Sequence, residues 1–204
     1  MNVGFIGHVK HNIILNDMQP FRQRHRRILS FKYTEVRNHI KQLLDTNLIH
    51  KSHSPWASNI VLVRKRDNSF RLCVVYRQLN EPTKKDAYAL KRIEELLDNL
   101  GGNQFYSVMD MKSVYYQVSI KEEPKAYTAF TAGSFGLYEY SCLPFGLSNA
   151  QRLMEECLEA ISVDDEQFCQ IYLDDGIVAS KAFEKYIDHI QRVLDRFRVA
   201  EMKR

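Results

Sequence analysis

Two adjacent carboxylates between two apolar runs constrain this chain more than any other feature of its sequence. Asp174 and Asp175 follow the largely apolar segment 168–173 and precede Gly176-Ile177-Val178-Ala179. Apolar strands on both sides of a tight turn predict a β-hairpin with its acids at the tip. Asp is common in turns for its local hydrogen bonding alone. Two like charges held in one turn nevertheless cost Coulomb energy, and a divalent cation between them would offset that cost.

A second predicted strand also ends in a carboxylate. Residues 104–110 follow the helix-stop pair Gly101-Gly102 and end at Asp110. Their larger apolar groups alternate with polar ones at Phe105 and, less regularly, at Val108. Two strands that end in acids can converge on one metal site, so the pattern predicts a metal-binding sheet edge.

The rest of the chain predicts helices and antiparallel strands without internal repeats. Apolar residues spaced by three and four from Val36 to Leu48 predict a first helix of about four turns that begins near Thr34. Segments 60–63 and 70–74 predict a hairpin closed by Arg66-Asp67-Asn68-Ser69. Further predicted elements are helices at 93–100, about 149–161 and 187–197, and strands at 104–110, 115–120, 126–131 and 137–142. Antiparallel strands with helices on one face give an α+β fold class.

Composition is compatible with a nucleic-acid partner but decides little by itself. The net charge is only +4, but basic side chains cluster near the N-terminus. The cluster could be an ordinary solvated charged face. So many guanidiniums favour a nucleic-acid partner instead, because each can form bidentate contacts with phosphate. The chain shows no apolar run of about 20 residues and no signal peptide, and its cysteines are widely spaced, as in reduced thiols. Nothing in the sequence directs the chain to a membrane or out of the cell, so we expect an intracellular protein that is neither secreted nor membrane-bound. The basic cluster comprises Arg22, Arg24, Arg26 and Arg27.

An ordered set of motifs resembles the reverse transcriptase domain of gypsy-like long-terminal-repeat retrotransposon Pol polyproteins, which are related to retroviral ones. The resemblance covers nearly the whole chain, 1–204. It implies a right-hand polymerase fold with fingers at about 1–85 and 118–150 and a palm at about 86–117 and 151–204. The motifs are Pro20-Phe21-Arg22-Gln23-Arg24, Ser54-Pro55-Trp56-Ala57-Ser58, 61–65, 71–80, Asp110-Met111-Lys112-Ser113, Thr128-Ala129-Phe130, 143–150 and Tyr172-Leu173-Asp174-Asp175.

The resemblance implies RNA-directed DNA polymerase activity by two-metal-ion nucleotidyl transfer. Asp110, Asp174 and Asp175 would be the catalytic, metal-binding carboxylates for two Mg²⁺ ions, with Mn²⁺ as a substitute. The implied partners are an RNA or DNA template with its primer, dNTPs and, in a complete element, the thumb, RNase H and integrase domains of Pol. Arg77 would lie near the template strand, and the basic cluster named above would also bind nucleic acid.

The resemblance also assigns residues to the incoming nucleotide. Lys65, or its neighbour Arg64, and Arg71 would grip the triphosphate; the alternative is an edge strand with protective surface charges. Tyr115 would close on the sugar, although Tyr116 beside it blurs the register. The turn Phe145-Gly146 would lie under the sugar, where a simple apolar turn would explain the same residues.

Departures from the family pattern predict a weakened palm. Val75 replaces an Asp that would pair with Arg77, and Val114 replaces a Gly, which matters if that backbone needs positive φ. Four residues are missing within 149–154, which shortens a helix by about 6 Å and removes a core Phe worth about 3–5 kcal/mol. The chain ends at Arg204, where the family continues into the thumb, so we expect a thumb-less fragment or decayed copy.

Three functions therefore remain open at this level. The first is an RNA-directed DNA polymerase domain, supported by the presence of all three acids. The second is a catalytically inactive, nucleic-acid-binding remnant of a retrotransposon Pol, supported by the departures. The third, a protein-interaction module retained by a host, has no positive feature beyond the broken motifs.

Overall fold

The computed structural model describes residues 10–87, 92–110, 114–150, 152–153, 168–172 and 175–200 of the chain. The described residues form two compact units. The first unit contains Lys10–Lys85 and Val118–Ala150, and the second contains the described residues of Asp86–Gln117 and Gln151–Arg204. Each unit combines helices with its own β-sheet, as the predicted α+β class requires.

A five-stranded sheet forms the centre of the first unit, in the order β2-β8-β7-β3-β4. Neighbouring strands run antiparallel except β3 and β7, which run parallel. Two shorter strands, β1 and β6, pair in parallel apart from it. The strands are β1 Lys10–His11, β2 Ile49–Lys51, β3 Ser58–Arg64, β4 Phe70–Val75, β6 Ser119–Ile120, β7 Phe130–Thr131 and β8 Leu137–Tyr140.

Helix α1 covers Tyr33–Asp45 and confirms the first predicted helix. Its apolar face buries Val36, Ile40 and Leu43. The prediction placed Leu48 on the helix, but the helix ends earlier because Asn47 adopts φ 55°, a left-handed conformation that stops helices. Leu48 is still buried, since the chain turns directly from the helix into β2.

The predicted hairpin of β3 and β4 is confirmed. Its turn is closed by local chemistry: the Asp67 carboxylate accepts a hydrogen bond from the Ser69 backbone N–H at 2.9 Å, and Asn68 adopts φ 65°. The pairing places Val63 opposite Arg71 and Arg64 opposite Phe70. Because side chains alternate along a strand, Arg64 and Arg71 lie on opposite faces of the hairpin.

The predictions of long strands at 115–120 and 126–131 are wrong in their first halves. The chain instead forms a 3₁₀ helix at Val114–Gln117 and another at Ala126–Thr128, which follows the short helix α4, Glu122–Lys125. Val114, Gln117 and Val118 are all buried, a three-to-four spacing that suits a helical turn and not an alternating strand. Burial therefore overrides the strand preference of the β-branched and aromatic residues here. The strands at 104–110 and 137–142 are confirmed.

The second unit contains a three-stranded antiparallel sheet in the order β5-β10-β9. Its strands are β5 Phe105–Asp110, β9 Cys169–Tyr172 and β10 Asp175–Ser180. Strands β9 and β10 confirm the predicted hairpin. The short α2, Arg77–Asn80, belongs to the first unit, whereas α3, Ile93–Leu100, contacts β9 and ends at the predicted glycine pair.

Helix α5, Phe183–Val199, covers one face of this sheet and confirms the last predicted helix. The Phe105 ring lies 5.5 Å from that of Phe183, and the Ser107 hydroxyl lies 2.6 Å from the Tyr186 hydroxyl. Since Phe105 and Ser107 lie two residues apart on β5, they define the helix-covered face.

The predicted helix at about 149–161, with its four-residue deletion, lies mostly outside the described residues. Asn149, Ala150, Arg152 and Leu153 are its described members, and Asn149 adopts φ 64°. Among the described residues, no helix combines the length and apolar character needed to cross a membrane.

Candidate active site

The carboxylates of Asp110 and Asp175 are brought together by strand pairing in the second unit. Asp110 is the last residue of β5, Asp175 is the first of β10, and the antiparallel register pairs them directly. Side chains directly opposite in an antiparallel pair have Cβ atoms about 4.5–5.5 Å apart. Asp110 and Asp175 are 65 positions apart in sequence but become nearest cross-strand neighbours.

Both acids lie on the sheet face opposite to α5. They share that face with Tyr172, which pairs with Asp175 from β9, and with Val108, which pairs with Ile177. Val108 is 67% exposed and both acids are exposed, so the part of this face around them is open to solvent within the described residues. The sequence pattern counted Val108 among the larger apolar groups of an alternating strand, although the alternation is less regular there. In the structure, β5 places Val108 on the exposed face together with Asp110.

The acid pair suits a hard divalent cation. Both carboxylates are exposed, and neither forms an ion pair or hydrogen bond with another described residue. Like charges directly opposite on a sheet are destabilising, and carboxylate oxygens are the ligands that Mg²⁺ prefers. The described residues contain no group of three or more His, Cys, Asp or Glu side chains arranged for a metal ion. Asp174, predicted as a further ligand, lies outside the described residues.

The predicted triphosphate-binding residues lie on the β3–β4 hairpin of the first unit. Arg71 is exposed on β4, and Lys65 is exposed at the start of the turn, where its backbone N–H donates to the Ser69 carbonyl at 2.8 Å. Arg64 lies on the opposite face from Arg71, so Lys65 is the better companion for Arg71. The pKa of His39 is lowered, first by burial and second by the nearby Lys65 charge.

The Phe145-Gly146 turn is held by a residue that sequence reasoning missed. The Asn80 side-chain amide donates to the Gly146 carbonyl at 2.8 Å, and its oxygen accepts the Ser148 backbone N–H at 2.9 Å. Gly146 adopts φ 90°, which favours glycine, and Phe145 is 49% exposed. An Asn at the end of a short helix is a weak signal in sequence, because only the tertiary structure brings the turn to it.

Tyr115 lies in the 3₁₀ helix Val114–Gln117 and is half-buried. From the sequence, Val114 would be strained if the backbone at this position needed a positive φ. Val114 does not adopt a positive φ, so the strain does not arise. The described non-glycine residues with positive φ are Asn47, Asn68 and Asn149. Val114 is instead buried at 1% exposure and contributes to the core.

Arg77 is not left without a partner by the loss of an acid at Val75, which corrects the sequence expectation. Its Nε lies 3.4 Å from Oε1 of Glu81, one helical turn away. Both side chains are exposed, at 87% and 65%, so this pair contributes little to stability. Arg77 therefore remains accessible to an anionic partner.

The structure divides the basic cluster 22–27. Hydrogen bonds to 57–59 anchor its first half: the Gln23 backbone N–H donates to the Ala57 carbonyl at 2.9 Å, and the Asn59 side-chain amide donates to the Arg24 carbonyl at 2.6 Å. Arg22 forms a β-bridge with Ala57. Arg26 and Arg27 line two cavities of the first unit. The four side chains are all exposed.

Comparisons with known proteins agree with the fold and the motif order. The chain is 31% identical over 205 aligned residues to the retrovirus-related Pol polyprotein from transposon 297 of Drosophila melanogaster. This alignment covers 98% of this chain and 19% of the relative. It is 34% identical to the corresponding gypsy polyprotein of the same organism, over 78% of this chain and 16% of the relative. The chain thus spans about a fifth of the length of these relatives.

Solved structures share the fold. The foamy viral protease-reverse transcriptase in complex with dsDNA superposes with a TM-score of 0.90 at 21% identity, over 98% of this chain and 42% of the viral one. The corresponding complex with an RNA/DNA hybrid gives a TM-score of 0.88 at 20% identity, over 98% and 27% of the two chains. The family model for reverse transcriptase (RNA-dependent DNA polymerase) matches residues 63–203. By fold, motif order and this match, the chain belongs to the reverse transcriptase family.

Proposed function

We propose that this chain is an RNA-directed DNA polymerase domain that adds dNTPs to a primer 3′-hydroxyl on an RNA or DNA template. The observation that carries the proposal is the direct cross-strand pairing of Asp110 with Asp175, both exposed and without a described partner. A divalent cation would offset the repulsion within such a pair, and nucleotidyl transfer uses divalent cations at carboxylate sites of this kind. The relatives named above are Pol polyproteins, which supports the same activity.

Reverse transcriptases generally use divalent metal ions. We assign two Mg²⁺ ions, or Mn²⁺ in their place, to Asp110, Asp174 and Asp175. When bound, the ions would lower the pKa of the primer hydroxyl and neutralise charge on the triphosphate. The contribution of the chain is to hold the carboxylates of Asp110 and Asp175 at paired strand ends, so that backbone hydrogen bonds set the positions of these two residues.

Within this proposal the unit of Lys10–Lys85 and Val118–Ala150 is the fingers, and the second unit is the palm. We assign Lys65 and Arg71 to the triphosphate, Tyr115 to the sugar, and the Phe145-Gly146 turn to the same nucleotide. The exposure of Lys65 and Arg71 and the half-exposed Phe145 support these roles. In a complete element the domain would work with the thumb, RNase H and integrase of Pol.

We assign template and primer contacts to the guanidiniums of the first unit. The related foamy viral enzyme is described in complexes with dsDNA and with an RNA/DNA hybrid, which supports nucleic acid as the partner. Each Arg offers a planar fork of donors that matches a phosphate. The assigned residues are Arg22, Arg24, Arg26, Arg27 and Arg77.

Primer extension on an RNA template tests the proposal. Extension with Mg²⁺ or Mn²⁺ is expected for the wild type and for Asp188→Asn, a control that removes an exposed carboxylate from α5 in the same unit. An Asp174→Asn, Asp175→Asn double variant is expected to abolish it. A folded wild type that binds the template but never extends the primer would instead identify a catalytically inactive, nucleic-acid-binding remnant.

A further inference from the structure

The short helix α2 depends on tertiary contacts for its position. It covers Arg77–Asn80, a single helical turn. Helices of fewer than about 12 residues are marginal in water, so one turn is not stable by itself. Its middle is anchored in the core of the first unit, because Leu79 is fully buried and the Tyr76 hydroxyl just before it donates to the Thr128 carbonyl at 2.8 Å. Contacts of its polar side chains then decide how α2 lies on that anchor.

One of these contacts comes from the segment 22–24. The Gln23 Nε2 donates to Gln78 Oε1 at 3.1 Å. Gln23 is itself fixed, because its backbone N–H donates to the Ala57 carbonyl at 2.9 Å and its Oε1 accepts the Asn59 backbone N–H at 2.9 Å. Both ends of the Gln23 side-chain amide are therefore engaged, which sets its orientation. Through Gln23, hydrogen bonds connect β3 to α2.

The other end of α2 holds the Phe145-Gly146 turn. The Asn80 side chain donates to the Gly146 carbonyl at 2.8 Å and accepts the Ser148 backbone N–H at 2.9 Å. The turn also lies against the start of the helix, since a Cβ built on Gly146 would lie 4.0 Å from Tyr76 Cδ2. The position of the turn therefore depends on the position of α2.

We propose that the Gln23–Gln78 hydrogen bond positions the Phe145-Gly146 turn by fixing α2. Gln78 and Asn80 are two residues apart in one helical turn, so a shift of the backbone at Gln78 carries Asn80 with it. The inference rests on the function proposed above and adds two positioning residues, Gln23 and Gln78, which act without touching the nucleotide. They keep the segment assigned to the template and the turn assigned to the incoming nucleotide in one fixed relation. A dNTP then meets a preformed turn, which keeps its KM low.

Three variants separate this contact from general effects on the fold. Gln78→Met removes the acceptor and keeps the length of the side chain, whereas Gln78→Glu keeps an acceptor oxygen for Gln23. Because Gln78 is exposed, both changes leave the core untouched. Gln191→Met is the matched control, since Gln191 is exposed on α5 in the second unit and its side chain also forms a 3.1 Å hydrogen bond, to Asp195.

Hydrogen exchange at the Ser148 backbone N–H, followed by NMR without nucleic acid or metal, tests the positioning by itself. This N–H donates to Asn80, so its protection reports whether the turn stays on α2. In Gln78→Met we expect exchange to be about two- to ten-fold faster, the change that corresponds to one ordinary hydrogen bond. Gln78→Glu and Gln191→Met should exchange near the wild-type rate. Unchanged exchange in Gln78→Met, or equal acceleration in Gln191→Met, would overturn the proposal.

Primer extension with varied dNTP tests the consequence for the nucleotide. Gln78→Met should raise KM for dNTP by a similar factor and leave kcat unchanged, because the turn binds the ground state and the transition state alike. Asn80→Ala already separates the turn from α2, so adding Gln78→Met to it should leave KM at the Asn80→Ala value. Fold-changes in KM that multiply would show two independent residues and would contradict the coupling.

The two measurements also separate this inference from the proposed activity. A wild type that extends no primer, but whose Ser148 exchange is accelerated by Gln78→Met, would refute the activity and leave the positioning role standing. A wild type that extends primers, with exchange and KM both unaffected by Gln78→Met, would refute the positioning role alone. Weaker template binding at an unchanged KM would assign the hydrogen bond to the template segment and would refute the positioning role as well.

Discussion

Replacing Asp175 by Asn should stabilise the protein when divalent ions are absent. In the wild type, Asp110 and Asp175 are directly paired and exposed. For two unit charges about 5 Å apart in water, the repulsion is about 0.8 kcal/mol, and Asn keeps the shape while removing the charge. For a chain of this size that gain corresponds to a rise in Tm of about 2–3 °C.

Magnesium should reverse the order of stabilities. A ligand that binds only the folded state stabilises it by about 1.4 kcal/mol at ten times its Kd, and Asp175→Asn removes one of the proposed ligands. The wild type should therefore gain more from Mg²⁺ than the variant does. Only a cation between these carboxylates predicts such a crossing, because simple relief of repulsion would leave the variant ahead in both conditions.

Urea unfolding followed by circular dichroism measures both effects, in EDTA and in MgCl₂ at low ionic strength, where screening is weakest. Asp188→Asn is the control, because Asp188 is exposed on α5 and has no acid opposite it on a strand. A variant that is less stable than wild type in EDTA would refute the repulsion argument. Equal stabilisation of both proteins by Mg²⁺ would refute the metal assignment.

Three further outcomes follow from the structure. Asn80→Asp loses the hydrogen bond donated to the Gly146 carbonyl, so KM for dNTP in primer extension should rise several-fold. Asn80→Ala loses both hydrogen bonds and should raise KM further. An unchanged KM in both variants would contradict a positioning role. Cys73 is half-buried, whereas burial raises the pKa of Cys142 to about 12, so peptide mapping after brief alkylation at pH 8 should show Cys73 modified before Cys142. Equal labelling of the two would contradict the burial of Cys142. Because the pKa of His39 is lowered in the folded state, the unfolded state binds the proton more readily, and stability present above pH 6.5 should fall as the solution is acidified. His39→Gln should reduce this fall, measured by urea unfolding at pH 7.5 and 5.5. An identical fall in the wild type and the variant would contradict the role of His39.

Local patterns predicted the elements that carry the acids. The apolar runs around Asp174 and Asp175 and the strand that ends at Asp110 each specify their conformation within a few residues, and both strands form as predicted. The helix and the glycine pair before β5 were equally readable, because periodicity and capping residues are encoded locally. The same local reasoning failed at 115–120, where the burial of Val114 and Gln117 in a helical turn outweighs strand propensity.

The sequence by itself determined the fold class, the family motifs and the chemistry of the acids, because these depend on residue type and short-range spacing. Only the tertiary structure decided which residues meet. The register that sets Asp110 opposite Asp175 depends on how strands 65 positions apart align. The Asn80 contacts to Gly146 and Ser148, and the cavity that joins 25–28 to Gly133, likewise link segments more than 60 residues apart. Such contacts are chosen by packing of the whole unit, which leaves no trace in a short stretch of chain.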